Sequence, residues 1–219
     1  MSLAVRHRDD PAPTLAPLAG LAVRRETDAG VMAGLQWRTE TEIALRFAAG
    51  HRAYLALLHG EPAAFGWVAT LSAGIGELGS TFTLPEGERY LWNFVTLRSH
   101  RGMGIYPRLL DAVVRAESAG AERFWIAYAP ENHASGSGIR KAGFATVASL
   151  SFDAEGRPAV SEVAPGGAAA AARLLGIRAA DEPLAPCWRC ARAGAPGPHS
   201  CAAGACRCDY QRAESGCAA

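Results

Sequence analysis

Between residues 90 and 114 the pattern of apolar positions changes from that of a strand to that of a helix. Residues 90–97 are rich in aromatic and β-branched side chains, as β-strands are. Residues 98–104 are mostly polar and contain two glycines, which is typical of a turn. Apolar residues then recur at a helical spacing, at Ile105, Leu109, Leu110, Val113 and Val114. The pattern predicts a strand, a glycine loop and a helix in immediate succession.

A glycine loop that leads into a helix predicts an anion site, because the free N–H groups and the positive end of the helix dipole converge there. Gly102 and Gly104 let the backbone approach a bound group, and Arg98 and Arg101 add positive charge. Pro107 falls in the first helical turn, where its missing N–H has no consequence. A Walker loop would end in Gly-Lys-Ser or Gly-Lys-Thr, and the chain contains neither. The loop therefore predicts phosphate binding of another type.

The residues before this segment predict a helix and several strands. We expect a first strand over residues 21–25 and paired strands over 52–58 and 63–71. Thr39 and Glu42 have the spacing of a capping box, and apolar residues follow at Ile43, Leu45, Phe47 and Ala48. Residues 1–20, with three prolines between positions 9 and 17, predict a loose N-terminal lead-in.

Residues 74–79 match the dinucleotide-binding pattern Gly-x-Gly-x-x-Gly as a string. That mechanism requires a helix to begin at the glycines, but residues 80–85 have the composition of a strand and a turn. The segment therefore predicts a glycine-rich hairpin or an exposed loop and argues against a nucleotide fold of the Rossmann type.

Downstream of the central helix, a second strand and a second helix are predicted. Residues 124–128 are apolar and aromatic, as in a buried strand. Residues 132–141 predict a short helix that ends at Gly143, with Phe144 beyond it.

The glycine loop resembles the pyrophosphate-binding motif of the GCN5-related N-acetyltransferases, whose pattern is Arg/Gln-x-x-Gly-x-Gly/Ala. Arg101 and Gly104 match this pattern, whereas Tyr106 stands where the family usually has Gly or Ala. A bulky side chain there narrows the approach to the pyrophosphate or points away from it.

The predicted second helix resembles another segment of the same family, Asn-x-x-Ala-x-x-Leu-Tyr-x-Lys-x-Gly-Phe. Four residues match in register, namely Asn132, Lys141, Gly143 and Phe144. Ser135 takes the Ala position, and Ile139 takes the position of a tyrosine that often protonates the leaving thiolate. The resemblance covers about residues 21–152. It leaves open whether water, Ser137, Tyr128 or His133 donates the proton, or whether the thiolate leaves unprotonated.

The resemblance implies an α+β fold, with a mixed central sheet flanked by helices over residues 21–155. It also implies an acetyl-CoA-dependent N-acyltransferase in which an amine attacks the thioester directly. The implied cofactor contacts are Val95, Leu97, Arg98, Arg101, Gly102, Met103, Gly104, Ile105, Tyr106 and Asn132. The catalytic candidates are Glu88, Asn132, His133 and Ser137, with Glu77 a second candidate for the base.

Charge and hydropathy restrict the classes of partner that we expect. The chain has 22 Lys and Arg against 21 Asp and Glu, a net charge of +1, which argues against nucleic acid and membrane surfaces. No apolar run approaches the roughly 20 residues of a membrane span. The first residues lack a signal-peptide core, so a cytoplasmic location is expected. The expected partner is a small-molecule or peptide amine, and a homodimer remains open.

Composition changes beyond residue 155. Residues 156–183 predict an Ala-, Gly- and Pro-rich linker with a short helix over 165–176. All six cysteines then lie within residues 184–219, predicted to be a small Cys-rich tail. Cys187 and Cys190 have the spacing of a zinc knuckle, and two of Cys201, Cys206, Cys208 and His199 would complete the ligand set. Structural zinc is favoured, and a disordered tail with free thiols or an iron–sulfur or redox role are the alternatives.

A binding protein is the second hypothesis for the whole chain. It would keep the fold and the coenzyme site but act as a sensor, with the Cys-rich tail as a metal or redox input. The missing tyrosine at position 139 and the bulky Tyr106 favour this alternative.

Overall fold

The computed structural model describes residues 1–182, 184, 185, 187 and 188. Its strands are β1 (Ser2–His7), β2 (Leu21–Glu26), β3 (Arg52–Leu58), β4 (Glu61–Ala69), β5 (Ser72–Ile75), β6 (Ser80–Thr83), β7 (Glu88–Thr96), β8 (Arg123–Tyr128), β9 (Ala145–Phe152), β10 (Pro158–Glu162) and β11 (Arg178–Ala179). Its helices are α1 (Ala29–Gln36), α2 (Glu40–Ala48), α3 (Ile105–Glu117), α4 (His133–Lys141) and α5 (Gly167–Leu175).

One mixed sheet organises the molecule. Its strand order is β11-β10-β9-β1-β8-β7-β4-β3-β2, and β5 and β6 form a separate hairpin. The β7–β8 and β10–β11 pairs are parallel, and the other neighbours in the large sheet are antiparallel. This arrangement confirms the predicted α+β fold with a mixed sheet flanked by helices.

The two faces of the sheet carry different helices. Alternate side chains of a strand point to opposite faces, so Leu91 packs with α3 and α4, whereas its neighbour Trp92 packs on the other face. That other face is covered by α1 and α2 around Trp67 and by α5 around Trp125. The helix predicted from the capping box is α2, where the Thr39 hydroxyl accepts from the Glu42 N–H and the Glu42 carboxylate from the Thr39 N–H.

The N-terminal segment differs from the prediction. Ser2–His7 is not part of a loose lead-in: it forms β1, an interior strand that pairs with both β8 and β9. Leu3 and Ala4 are fully buried there. Because six residues give too little alternation to stand out beside the prolines that follow, the pattern concealed this strand. Residues 11–18 have no regular secondary structure, and the predicted first strand is β2 at the sheet edge.

The segment beyond residue 155 also differs from the prediction of a linker. Its strands β10 and β11 extend the large sheet, and the predicted helix packs onto it as α5. Ala185 follows, its N–H donating to the Phe152 carbonyl at 2.9 Å, and Trp188 is buried in the same core cluster. Ala185 and Trp188, which were predicted to belong to the tail, therefore pack on the folded domain.

Two other observations bear on the predictions. The Gly-x-Gly-x-x-Gly string lies in the β5–β6 hairpin, where no helix of the α type begins, which confirms the hairpin interpretation. Within the described residues, no helix combines the length and the apolar character that crossing a membrane requires.

Candidate active site

A gap opens in the sheet beside the second half of β7. The strand pairs with β8 only over residues 88–91, but it stays paired with β4 as far as Thr96. A bulge shifts the β4 register at this point, and Asn93 takes a left-handed conformation with φ 50°. The last five residues of β7 therefore present one side to a space that no strand of the described chain occupies.

The ladder decides which backbone groups face this gap. The N–H of Leu97 donates to the Ala63 carbonyl at 2.9 Å, and Val95 is paired with Phe65 in the same ladder. Successive residues of a strand point their N–H groups to opposite sides, so the N–H of Thr96 is directed into the gap. The N–H groups of Val95 and Leu97, at which backbone contacts were predicted, therefore point towards β4 and not into the gap, because strand composition does not reveal which way the ladder alternates.

The loop after β7 delivers uncapped donors to the same place. Gly102 and Gly104 have φ values of 80° and 70°, the left-handed region that glycine adopts without strain. Gly104 is the N-cap of α3, and no side chain accepts from the N–H groups of this helix start. Pro107 is the third residue of the helix, as expected. The donors of the first turn are therefore available to a bound anion.

A cavity of about 930 Å³ lies over this helix start. The predicted cofactor contacts that line it are Val95, Arg101, Gly102, Gly104, Ile105, Tyr106 and Asn132. Its charged lining within the described residues comes from Arg101, Arg108 and Lys141, without a carboxylate. Leu97 and Arg98 line a second cavity instead, and Met103 is exposed outside both.

Arg108 joins the helix start to a wall that was not predicted. Its guanidinium donates to the Gly104 carbonyl at 2.6 Å and to the Ala16 carbonyl at 2.5 and 3.0 Å. Residues 14–16 of the lead-in thereby line the cavity. The sequence shows that Arg108 lies four residues after Gly104. It does not show the second acceptor, the Ala16 carbonyl, because that residue is remote in the chain.

Tyr106 projects into the cavity towards α4. Its ring lies 6.1 Å from that of Phe94, measured between centroids, and its hydroxyl is 3.5 Å from the Ser135 hydroxyl. A Cβ at Gly138 would be 2.3 Å from the ring, so the ring occupies the space that a side chain at Gly138 would need. Burial raises the pKa of Tyr106 to about 12, which makes its phenolate less accessible than that of an exposed tyrosine.

The helix α4 brings part of its predicted set to the cavity. Asn132 is its N-cap and accepts from the Ser135 N–H at 2.9 Å, and Ser137 also lines the cavity. His133 is exposed and does not line it. Ile139 is fully buried in the core under α3 and α4, so a tyrosine there would overfill the core instead of entering the cavity.

Residues 21–144 match the model of the Acetyltransferase (GNAT) family, which is more than half of the chain. The chain belongs to this family. Membership confirms the predicted N-acetyltransferase class. Acetyl-CoA is the acetyl donor that this family uses. Comparison with curated proteins finds no match.

Several solved structures of the GNAT superfamily resemble the chain at low identity. A GCN5-related N-acetyltransferase from Kribbella flavida is 18% identical with a TM-score of 0.42; the match covers 66% of this chain but only 53% of that one. The ribosomal-protein-S18-alanine N-acetyltransferase from Escherichia coli is 15% identical with a TM-score of 0.46, covering 61% and 83%. A putative acetyltransferase from Novosphingobium aromaticivorans DSM 12444 is 20% identical with a TM-score of 0.44, covering 66% and 59%. These likenesses carry no information on the acceptor.

Glu88, the predicted base, lies at the end of β7 away from the glycine loop. It is buried, and its carboxylate accepts from Trp125 Nε1 at 2.6 Å and from Arg123 at 3.0 Å. Glu77 is exposed in the β5–β6 hairpin. Neither carboxylate lines either of these two cavities. Closeness to the central strand in sequence does not show that Glu88 begins β7 at the end away from the loop, or that Glu77 lies in the separate hairpin.

Most of the predicted metal ligands lie outside the described residues. These are Cys190, Cys201, Cys206, Cys208 and His199. Cys187 is described and is half-buried. In the part of the chain that the structure covers, no three His, Cys, Asp or Glu side chains come together as a metal site. The zinc site stays a prediction.

A second cavity, of about 290 Å³, adjoins the first. It lies between the end of α1 and the second half of β7, and both cavities are lined by Val95, Thr96 and Arg101. No sequence pattern predicts it, because the residues that form it are separated by some sixty positions in the chain.

Proposed function

We propose that this protein transfers an acetyl group from acetyl-CoA to an amine by direct attack in a ternary complex. The observation that carries the proposal is the start of α3: its N–H donors have no side-chain cap, and they open into a cavity whose charged lining is basic. Backbone donors at a helix N-terminus with neighbouring cations suit a pyrophosphate. The residues present therefore fit the coenzyme that the family uses.

The proposed cofactor contacts divide between the helix start and the gap. Arg101 and the backbone of residues 102–106 hold the pyrophosphate. The N–H of Thr96 is available to a carbonyl of the pantetheine arm, and Asn132 borders the same space on α4. Acetyl-CoA supplies the acetyl group as an activated thioester. In the overall reaction a C–N bond replaces the C–S bond, and the proton that the amine loses ends on the thiol.

The side chains that line the two cavities would promote the reaction by positioning the reactants and by their charges. No carboxylate lines either cavity within the described residues, so no acidic side chain is available there as a base. Asn132 and Ser137 are the predicted catalytic residues that reach the cavity, and we propose that they orient the reactants. Tyr106 is protonated at neutral pH, as an ordinary phenol is, and can donate a hydrogen bond.

Two measurements on the intact chain test the proposal. Calorimetry should show binding of CoA and of acetyl-CoA, and a thiol-release assay should show turnover with a member of an amine panel. If neither CoA nor acetyl-CoA binds, the glycine loop is not a pyrophosphate site and the proposal is wrong.

A non-catalytic coenzyme sensor is the second candidate. It is favoured by the Tyr106 ring, which fills part of the cavity, and by the burial of Ile139, which leaves α4 without a phenol. The sensor predicts CoA binding without thiol release for every amine. Elemental analysis of the intact protein, purified without chelator, separately tests the zinc that was predicted for the tail.

A further inference from the structure

The wall of the second cavity is fixed by one amide. The side-chain oxygen of Gln36, at the end of α1, accepts from Arg46 at 2.9 Å, from Trp67 Nε1 at 3.0 Å and from Asn93 at 3.0 Å. The amide nitrogen donates to the Met32 carbonyl at 3.0 Å. These bonds tie α1 to the bulge of β7, so the cavity has a preorganised wall beside the gap.

The charges that line this cavity are all positive within the described part of the chain. They belong to Arg38, Arg98 and Arg101, and no carboxylate accompanies them in the lining. A polyamine or another polycationic acceptor would find no counter-charge here. An acceptor with a negative group would find counter-charges in these arginines.

The same charges affect the reacting amine. A nearby like charge disfavours the ammonium form and lowers the pKa of an amine. Only the neutral amine is a nucleophile, so the arginines increase the reactive fraction without a protein base. This fits a site from which Glu88 is remote.

Trp37 supplies an unusual apolar surface at the rim. It lines the cavity, it is 96% exposed, and its backbone is left-handed with φ 54°. This left-handed conformation ends α1, where the Trp37 N–H donates to the Ala33 carbonyl, and it leaves the indole outside the helix at the cavity rim. Trp37 and Arg38 both line this cavity, so an apolar surface and a cation are presented to the same space.

Arg38 can exchange its partner at little cost. It is paired with Glu42 at 3.2 Å in an exposed i,i+4 pair, a type that contributes little to stability. A substrate carboxylate can therefore replace Glu42 on the guanidinium, with the bidentate geometry that arginine favours.

We propose that the second cavity binds the acceptor, and that the acceptor is an amine that carries a carboxylate and an apolar or aromatic body, as amino acids do. The carboxylate binds Arg38, the body lies against Trp37, and the amine faces the shared wall at Thr96. The volume of about 290 Å³ suits a molecule of this size. This inference rests on the proposed function, because it names the substrate class of the same site.

The test compares three amines with the intact chain: phenylalanine, phenylalaninamide and spermidine. Phenylalaninamide keeps the same skeleton but carries an uncharged amide in place of the carboxylate. Because this change also lowers the pKa of the α-amine, affinities and rates are compared at equal concentrations of the neutral amine. We expect calorimetric binding of phenylalanine to the CoA-saturated protein at least about tenfold tighter than that of the amide, and a matching difference in kcat/KM for thiol release. Spermidine should be the poorest acceptor.

Arg38→Gln separates the carboxylate contact from a general effect. We expect it to weaken phenylalanine binding about tenfold and to leave the amide and CoA unchanged. Arg115→Gln is the matched control, since Arg115 is also an exposed arginine in an i,i+4 pair, with Asp111, but lies on α3 outside both cavities.

The outcomes separate the two proposals. If CoA does not bind, the proposed function fails and this inference fails with it. If CoA binds and thiol release prefers spermidine or the amide, the acceptor class is wrong while the proposed function stands. If CoA binds and no amine releases thiol, the result is that of the sensor, and both the transfer reaction and this inference fail. Equal losses for phenylalanine and its amide in Arg38→Gln would also overturn the carboxylate contact.

Discussion

Two helices of this protein begin in the same way and end up with different partners. Gly104 and Gly166 are the N-caps of α3 and α5, with φ values of 70° and 76°, and neither has a side chain to offer. At α5 the Glu162 carboxylate accepts from the Gly166 and Ala168 N–H groups, both at 2.8 Å. At α3 no such carboxylate is present among the described residues, and arginines stand nearby instead.

The remaining described helices agree with α5. Asp28 accepts from an N–H group at the start of α1, Thr39 does so at α2 and Asn132 at α4. Among the five α-helices of the described residues, α3 is thus the exception. Because unpaired donors at a helix start attract an anion, the contrast indicates that the anion at α3 comes from a ligand.

The largest expected effect comes from placing an anion at α3. Gly104→Asp should weaken CoA binding by at least about 100-fold, because the carboxylate competes for the donors and repels the pyrophosphate. The φ of 70° adds strain, and so does an Arg108 nitrogen that would lie 2.6 Å from the new Cβ. Gly166→Asp is the matched control, since it has the same conformation at a helix start but lies outside the cavity lining. Calorimetry should show unchanged CoA affinity in the control; equal losses would remove the contrast.

The next effect has the opposite sign. Tyr106→Ala should tighten CoA binding about tenfold, because it removes a ring from the cavity and keeps the backbone donor. Tyr128→Ala is the comparison, since Tyr128 is bonded to Thr146 at 2.9 Å and does not line the cavity. Weaker CoA binding in Tyr106→Ala would show that the ring contacts the ligand and does not obstruct it.

The glycine loop and the start of α3 could be predicted because their chemistry is local. A strand, two glycines, a proline in the first turn and a helical apolar pattern lie within some twenty residues, and each has a direct conformational cause. The capping box of α2 was predictable for the same reason. Such features need no knowledge of the distant chain.

Features that depend on distant pairing could not be predicted. The strand β1 is short, and its place between β8 and β9 is set by tertiary contacts. The position of Glu88 and the direction of the Thr96 N–H depend on which end of β7 is open, which only the sheet registers determine. The second cavity joins α1 to β7 through Gln36, a polar helix residue with no distinguishing pattern.

A smaller loss of CoA affinity is expected when Arg108 no longer holds residues 14–16 against the start of α3. Arg108→Ala should weaken CoA binding about tenfold, because it releases both the Gly104 carbonyl and residues 14–16. Arg115→Ala controls for the loss of a positive charge on the same helix. If both variants weaken binding equally, the loss reflects the general field of α3, and the bonds of Arg108 have no specific role.

The smallest effect concerns the helix that supplies its own anion. The N–H groups of Ala168 and Gly166 lower the pKa of Glu162, so the folded state favours the carboxylate. A lowered pKa stabilises the fold above the unfolded value of about 4.3, and this contribution is lost as the pH falls through the folded value. Glu162→Gln should therefore reduce the thermal midpoint at pH 7, and the difference from the unaltered protein should shrink as the pH falls below about 4. Thermal unfolding across pH measures this, while calorimetry should find CoA affinity unchanged. A difference that persists in acid would mean that Glu162 acts through its shape and not its charge, and the electrostatic contrast between α3 and α5 would lose its basis.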